Sequence, residues 1–88
     1  LLKSAHQTTK EQYQAVIDAS LTTAFATVRA AGKCMKSGGS VVLISSAAAM
    51  EGLANHEAIA AAKAGIIGLT YAAAASYAHQ HLRINAVA

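Results

Sequence analysis

Apolar residues follow two different spacings along this chain, and each spacing predicts a different element. Across residues 13–31 they recur at intervals of three and four, which predicts one face of a helix. Residues 41–44, Val-Val-Leu-Ile, instead form an uninterrupted apolar run between Gly38-Gly39 and Ser45-Ser46. A short run rich in β-branched residues predicts a strand that is buried on both faces.

The polar residues around these stretches indicate where the helices begin and end. Thr8 and Glu11 have the spacing of a capping box, so the first helix is predicted to cover residues 10–36. Asn55 is the predicted N-cap of a second, alanine-rich helix over residues 57–78. Its small residues recur at intervals of three and four, which predicts close packing against a sheet and a further helix. They are Ala61, Gly65, Gly68 and Ala72.

The predicted order is helix, strand, helix, strand, with residues 82–88 as the second strand. Residues 41–88 therefore form a strand–helix–strand unit, which we expect to be parallel and right-handed. A sheet of two parallel strands has open edges and needs cover on both faces. We expect an α/β fold in which residues 1–88 are a central-to-C-terminal slice of one doubly wound, Rossmann-like domain, incomplete at both ends.

Composition narrows the possible partners and compartments. The net charge is +3, charged residues make up 12% of the chain, and there is no Trp and one Phe. With neither a dense basic patch nor stacking aromatics, we expect no nucleic-acid partner. The weakly apolar residues 58–78 contain Lys63 and several hydroxyls, so we expect no membrane span. The single Cys34 and the lack of a signal peptide favour a cytoplasmic location.

Three segments resemble the short-chain dehydrogenase/reductase family. Residues 44–46, Ile-Ser-Ser, are followed by a loop and by residues 61–70, Ala-Ala-Lys-Ala-Gly-Ile-Ile-Gly-Leu-Thr, which is similar to that family's active-site segment. Residues 82–88, Leu-Arg-Ile-Asn-Ala-Val-Ala, resemble its next strand. The likeness covers about residues 8–88, and it implies hydride transfer between NAD or NADP and a carbonyl or alcohol.

The resemblance also assigns residues to the family's four catalytic positions. Ser46 matches the serine that holds the substrate oxygen, and Lys63 matches the lysine that binds the nicotinamide ribose. The tyrosine acid is expected four residues before the lysine, because residues i and i+4 share a helix face. Ile59 stands there and has no proton to give. Ser20 occupies the position of the family's asparagine.

Histidines offer two alternative kinds of chemistry. His56 lies seven residues before Lys63, about 10 Å along a helix, which is far for direct coupling, so a surface or capping role is the simpler interpretation. His79 and His81 have a spacing that points them apart on a helix, with no carboxylate or thiol nearby. We therefore expect no metal site.

Two functions remain open at this stage. The chain is part of an NAD(P)-linked oxidoreductase that lacks its tyrosine acid and is impaired, or it is part of a non-catalytic member that serves in assembly. In the family the two long helices, here 10–36 and 57–78, form the main subunit interface, so a homo- or hetero-oligomer is expected. The glycine-rich turn that binds the cofactor pyrophosphate is not among the 88 residues.

Overall fold

The computed structural model describes residues 2–45 and 55–87 of the chain. A first helical segment, made of helix α1, a π-helical turn and helix α2, precedes strand β1, helix α3 and strand β2. Their bounds are Lys10–Ile17 for α1, Asp18–Thr22 for the π turn, Thr23–Cys34 for α2, Gly39–Ile44 for β1, Glu57–Tyr77 for α3 and Leu82–Val87 for β2. Short 3₁₀ turns cover Ala5–Gln7 and Ala78–Gln80. The predicted order of elements is confirmed.

The two strands are parallel neighbours, with Gly39 opposite Leu82 and Ile44 opposite Val87. The parallel pairing and the helical crossover between the strands confirm the α/β class. The strand at residues 39–44 begins two residues earlier than the predicted run.

Helices α1 and α3 begin at the predicted residues, 10 and 57, but each N-cap lies one residue after the predicted one. Thr9, rather than Thr8, caps α1: its hydroxyl accepts from the Gln12 amide at 3.0 Å, and the Gln12 side chain accepts from the Thr9 amide at 3.0 Å. This is a capping box with glutamine in place of the predicted Glu11. His56, rather than Asn55, is the N-cap of α3, since Asn55 adopts a left-handed φ of 61° in the turn before it.

The core lies on one face of the sheet, where α2 and α3 pack. Val41 and Leu43 of β1 and Leu82 and Ile84 of β2 are at most 9% exposed. The helices contribute mostly small residues to this core, namely Ala24, Val28 and Ala31 from α2 and Ile66 and Ala73 from α3. Burial therefore alternates along both strands, because successive side chains point to opposite faces of the sheet and the helices cover one of them.

The prediction that β1 is buried on both faces is wrong within the described residues. Val42 is 57% exposed and Ile44 is 59% exposed, because no described helix lies on that side of the sheet. The buried face of the first helical segment is also narrower than the predicted apolar face, since Tyr13 is 46% exposed and Phe25 is 57% exposed.

The glycines of the predicted small-residue stripe have different surroundings. A Cβ built on Gly65 would lie 2.8 Å from the Leu21 side chain, so this glycine allows the first helical segment to approach α3. A Cβ on Gly68 would meet nothing within 4 Å. The expected close packing therefore holds at Gly65 and not at Gly68 within the described residues.

Helix α3 together with its 3₁₀ extension has the length and composition of a possible membrane span. The segment Glu57–Gln80 is 24 residues long, and its most apolar 18-residue window has a mean hydropathy of 1.5 and is 28% buried. Core helices of globular domains meet the same criteria, and α3 packs on both strands here. The expectation that it does not cross a membrane stays a prediction.

A tight turn with two glycines joins α2 to β1, and it yields a stability prediction. Gly38 has a φ of +104°, a conformation that residues with a Cβ rarely adopt, and its Cβ would lie 3.3 Å from the His81 carbonyl oxygen. We expect Gly38→Ala to lower the free energy of unfolding by more than about 1 kcal/mol, measured by thermal or denaturant unfolding.

Ser37→Ala is the matched control, since Ser37 is exposed in the same turn and is not among the positive-φ residues. Its unfolding midpoint should stay within experimental error of the parent. Equal stability of the two variants would contradict the strained conformation at Gly38.

Candidate active site

The end of β1 is joined to both neighbouring elements through Ser45. The Ser45 amide donates to the Val87 carbonyl oxygen at 2.6 Å, which extends the parallel ladder by one step. The Ser45 hydroxyl donates to the main-chain carbonyl oxygen of Lys63 at 3.0 Å, and Ser45 is only 7% exposed. This residue therefore joins β1, β2 and α3 at the carboxyl end of the strands, where open α/β sheets bind their ligands.

Lys63 lies in the second turn of α3, close to this edge of the sheet. Its main chain is held by Ser45, and its side chain is half-buried. Ile59 lies one turn earlier on the same helix and is also half-buried. The structure thus pairs an ammonium with a hydrocarbon side chain on one side of α3. Ile59 offers neither a proton nor a hydrogen bond to a substrate.

Ser46, the predicted substrate-binding serine, lies outside the described residues. It follows Ser45 directly in the sequence. Sequence reasoning passed over Ser45 itself. The signal for it was present in the pair of hydroxyls that follows the apolar run.

Ser20 lies in the π turn that separates α1 from α2, and its side chain is half-buried. The Thr23 hydroxyl donates to the Asp18 carbonyl oxygen, five residues earlier, at 3.0 Å. Leu21 from the same turn contacts α3 at Gly65, two residues beyond Lys63. The π turn therefore lies against the part of α3 that carries the lysine. Single π turns of this kind are frequent at functional sites.

His56, His79 and His81 lie at the two ends of α3. His56 is the half-buried N-cap residue, and its carbonyl oxygen accepts from the Ala60 amide at 2.7 Å, while its side chain gives no cap to the helix. His79 and His81 lie in and after the 3₁₀ turn at the opposite end. Within residues 2–45 and 55–87 no group of three or more His, Cys, Asp or Glu side chains could hold a metal ion.

Of the residues present, Lys63 fits a nicotinamide cofactor. An ammonium group with three donors suits the hydroxyls of a ribose, and the hydrogen bond from Ser45 to the Lys63 carbonyl oxygen holds the lysine near the carboxyl edge of the sheet. The pyrophosphate would need a glycine-rich turn at a helix start, and the six glycines of this sequence do not form one.

Comparison with known proteins places this geometry in a family. The whole chain, residues 1–88, matches the family described as Enoyl-(Acyl carrier protein) reductase. It is 37% identical over 78 residues to the short-chain dehydrogenase/reductase ABA4 of Pyricularia oryzae, which covers 89% of this chain and 29% of that protein. It is 40% identical over 80 residues to the 3-oxoacyl-[acyl-carrier-protein] reductase of Synechocystis, covering 89% of this chain and 32% of that enzyme.

A solved structure agrees with the sequence matches. A short-chain dehydrogenase from Mycobacterium avium superimposes with a TM-score of 0.94 at 30% identity, and the match covers 100% of this chain and 33% of that one. The chain thus spans about a third of the length of the relatives it matches. Its fold is that of a Rossmann-type oxidoreductase. The chain belongs to the short-chain dehydrogenase/reductase family.

Proposed function

We propose that this chain is the central part of an oxidoreductase that transfers hydride between NAD or NADP and a carbonyl or alcohol carbon. Membership of the family supports this. The observation that carries it is the hydrogen bond from the Ser45 hydroxyl to the Lys63 carbonyl oxygen. Because of it, the Lys63 main chain lies at the carboxyl edge of a parallel sheet, against Ser45, which directly precedes Ser46 in the sequence.

Each matched residue has a defined part in this proposal. The Lys63 ammonium donates to the cofactor ribose, and the Ser46 hydroxyl holds the substrate oxygen. When bound, the nicotinamide ring supplies the hydride donor or acceptor. A 3-oxoacyl reductase among the relatives favours a ketone as the substrate class.

Ile59 makes the proposed enzyme impaired in ordinary carbonyl reduction. The substrate oxygen gains negative charge as hydride arrives, and a nearby acid normally neutralises it. General acid catalysis contributes typically about 10²–10⁴-fold to rate, or about 3–5 kcal/mol of barrier lowering. The aliphatic side chain of Ile59 supplies none of this. His56, the N-cap residue about one turn before Ile59, is a weak candidate for a replacement acid.

We also propose that the 88 residues are a slice of a larger, cytoplasmic Rossmann-like domain. The Cα radius of gyration is 14.2 Å, whereas a compact domain of this length has about 12 Å. The smallest dimension is 14 Å, which is little more than one helix layer on one sheet. The exposed face formed by Val42 and Ile44 needs a second layer of helices, as parallel sheets generally do.

Restoring the acid is the direct test of the catalytic proposal. In the full-length protein, Ile59→Tyr should raise NAD(P)H-dependent reduction of 3-oxoacyl model substrates by about 10²-fold or more, because a phenol then lies one turn from the Lys63 ammonium. Initial rates at saturating cofactor give the measurement.

Ile67→Tyr is the matched control, since Ile67 is half-buried on the same helix four residues after Lys63. A phenol there is on the other side of the lysine along the helix and should add no activity. If Ile59→Tyr gains no reductase activity although it still binds cofactor, the result counts against an otherwise intact catalytic site.

The second candidate function is assembly without catalysis. It is favoured by the surface of α3 that faces away from the core, where Tyr71 is 76% exposed and Gly68 has open space beside it. A mid-helix glycine costs about 1 kcal/mol relative to alanine, and nothing within the described chain explains it. Close approach of a helix from a second subunit, through the segments 10–36 and 57–78, would explain it.

Filling that space tests the assembly proposal. A Cβ at Gly68 would meet no atom of the described residues within 4 Å, so we expect that Gly68→Leu does not lower the unfolding midpoint of the single subunit. Between subunits it should weaken association about tenfold or more, as measured by sedimentation against concentration.

His79→Leu adds a similar apolar group at an exposed position just beyond α3 and should leave association unchanged. If Gly68→Leu leaves the oligomeric state untouched, the outer face of α3 is not the subunit interface.

A further inference from the structure

The hydrogen bond between Ser45 and Lys63 joins β1 to α3, a helix whose buried stripe is made mostly of small side chains. Helix α3 buries Ala58, Ala62, Ile66, Thr70 and Ala73 along one stripe. Only Ile66 in this stripe is large, so the packing offers few knobs to set the position of the helix along its axis. A slide of one residue moves a helix by about 1.5 Å and turns it by about 100°.

A hydrogen bond to a single carbonyl fixes that position. A mid-helix carbonyl oxygen has a second lone pair free for a donor outside the helix, and the Ser45 hydroxyl uses it at Lys63. Ser45 is itself fixed, because its amide bonds to Val87 at the end of the neighbouring strand. Since Ser45 is 7% exposed, water cannot readily replace the missing partner if the helix shifts.

The other described side-chain links to this helical region lie at its ends. The Glu57 carboxylate accepts from the Ala5 amide at the first residue of α3. Beyond the last residue, the Gln80 side chain donates to the Gly32 and Met35 carbonyl oxygens at 3.1 and 3.4 Å. Within residues 2–45 and 55–87, the link from Ser45 is the one that reaches the residue carrying the ammonium.

We propose that Ser45 is a positioning residue for Lys63: its hydroxyl sets the register of α3 on the strands, so that the Lys63 ammonium faces the edge where β1 ends. The part of this inference that concerns cofactor affinity rests on the proposed function. The part that concerns the environment of Lys63 does not, because it follows from the hydrogen bond alone.

The test compares Ser45→Ala with two other variants of the full-length protein. Ser45→Thr keeps the hydroxyl. Thr70→Val is the matched control, because the Thr70 hydroxyl is also buried and also donates to a carbonyl oxygen of α3, that of Ile66 at 2.7 Å, but within the helix. Thermal unfolding, NADH and NADPH titration, and the NMR signal of ¹³C-methylated Lys63, assigned with Lys63→Arg, are measured for each.

We expect Ser45→Ala and Thr70→Val to lower the unfolding midpoint similarly. Only Ser45→Ala should shift the Lys63 resonance and raise the Kd for the reduced cofactor about five- to tenfold, which is the loss typical of one hydrogen bond. Ser45→Thr should restore both. An unchanged Lys63 resonance in Ser45→Ala, or an equal shift in Thr70→Val, would overturn the proposal.

Failure of the parent protein to bind either nucleotide contradicts the proposed function instead. The Lys63 resonance then decides the positioning role by itself. A shift confined to Ser45→Ala supports it, and the absence of a shift refutes it.

Discussion

The structure depends on the contact between one alanine-rich helix and two parallel strands. Parallel strands cannot be joined by a tight turn, so α3 must carry the chain back along the sheet before β2 can begin. The small side chains of α3 let its axis approach the strands closely, and Ile66 fills the centre of the resulting core. The first helical segment then packs beside α3 through Leu21 and Gly65, so its position follows from that of α3.

The same contact explains why Ser45 and Lys63 lie together at the carboxyl edge of the sheet. The carboxyl ends of β1 and β2 lie side by side, and Ser45 bonds to Val87 in the sheet and to Lys63 in the helix. In the proposed function the Lys63 ammonium donates to the cofactor ribose, so Lys63 has to be held by something other than its own charge. A main-chain bond at Lys63 does this, because it leaves the ammonium group available for a ligand.

Much of the fold followed from the sequence, because it rests on spacing. The alternation of helix and strand, the parallel pairing and the ends of α3 near residues 57 and 77 came from apolar periodicity and turn residues. The one-sided burial of β1 did not follow from it, because an uninterrupted apolar run does not show which face of the strand the described helices cover. The π turn was also missed, since Asp18 and Thr23 act through local hydrogen bonds that leave the apolar period almost unchanged. At the site, the resemblance supplied Lys63 and Ile59, while Ser45 needed coordinates because its partner is a main-chain oxygen.

The π turn at Asp18–Thr22 also bears on how this helix can vary in length. A turn bonded to the fifth residue holds one residue more than a regular α-helical turn. Removing one residue there would regularise the helix while keeping Ala24, Val28 and Ala31 on the sheet, because the π turn takes up the extra residue without the rotation of about 100° that an insertion into a regular helix causes. Length differences among homologues could therefore be absorbed at this point, with the half of the helix nearest the strands left in place.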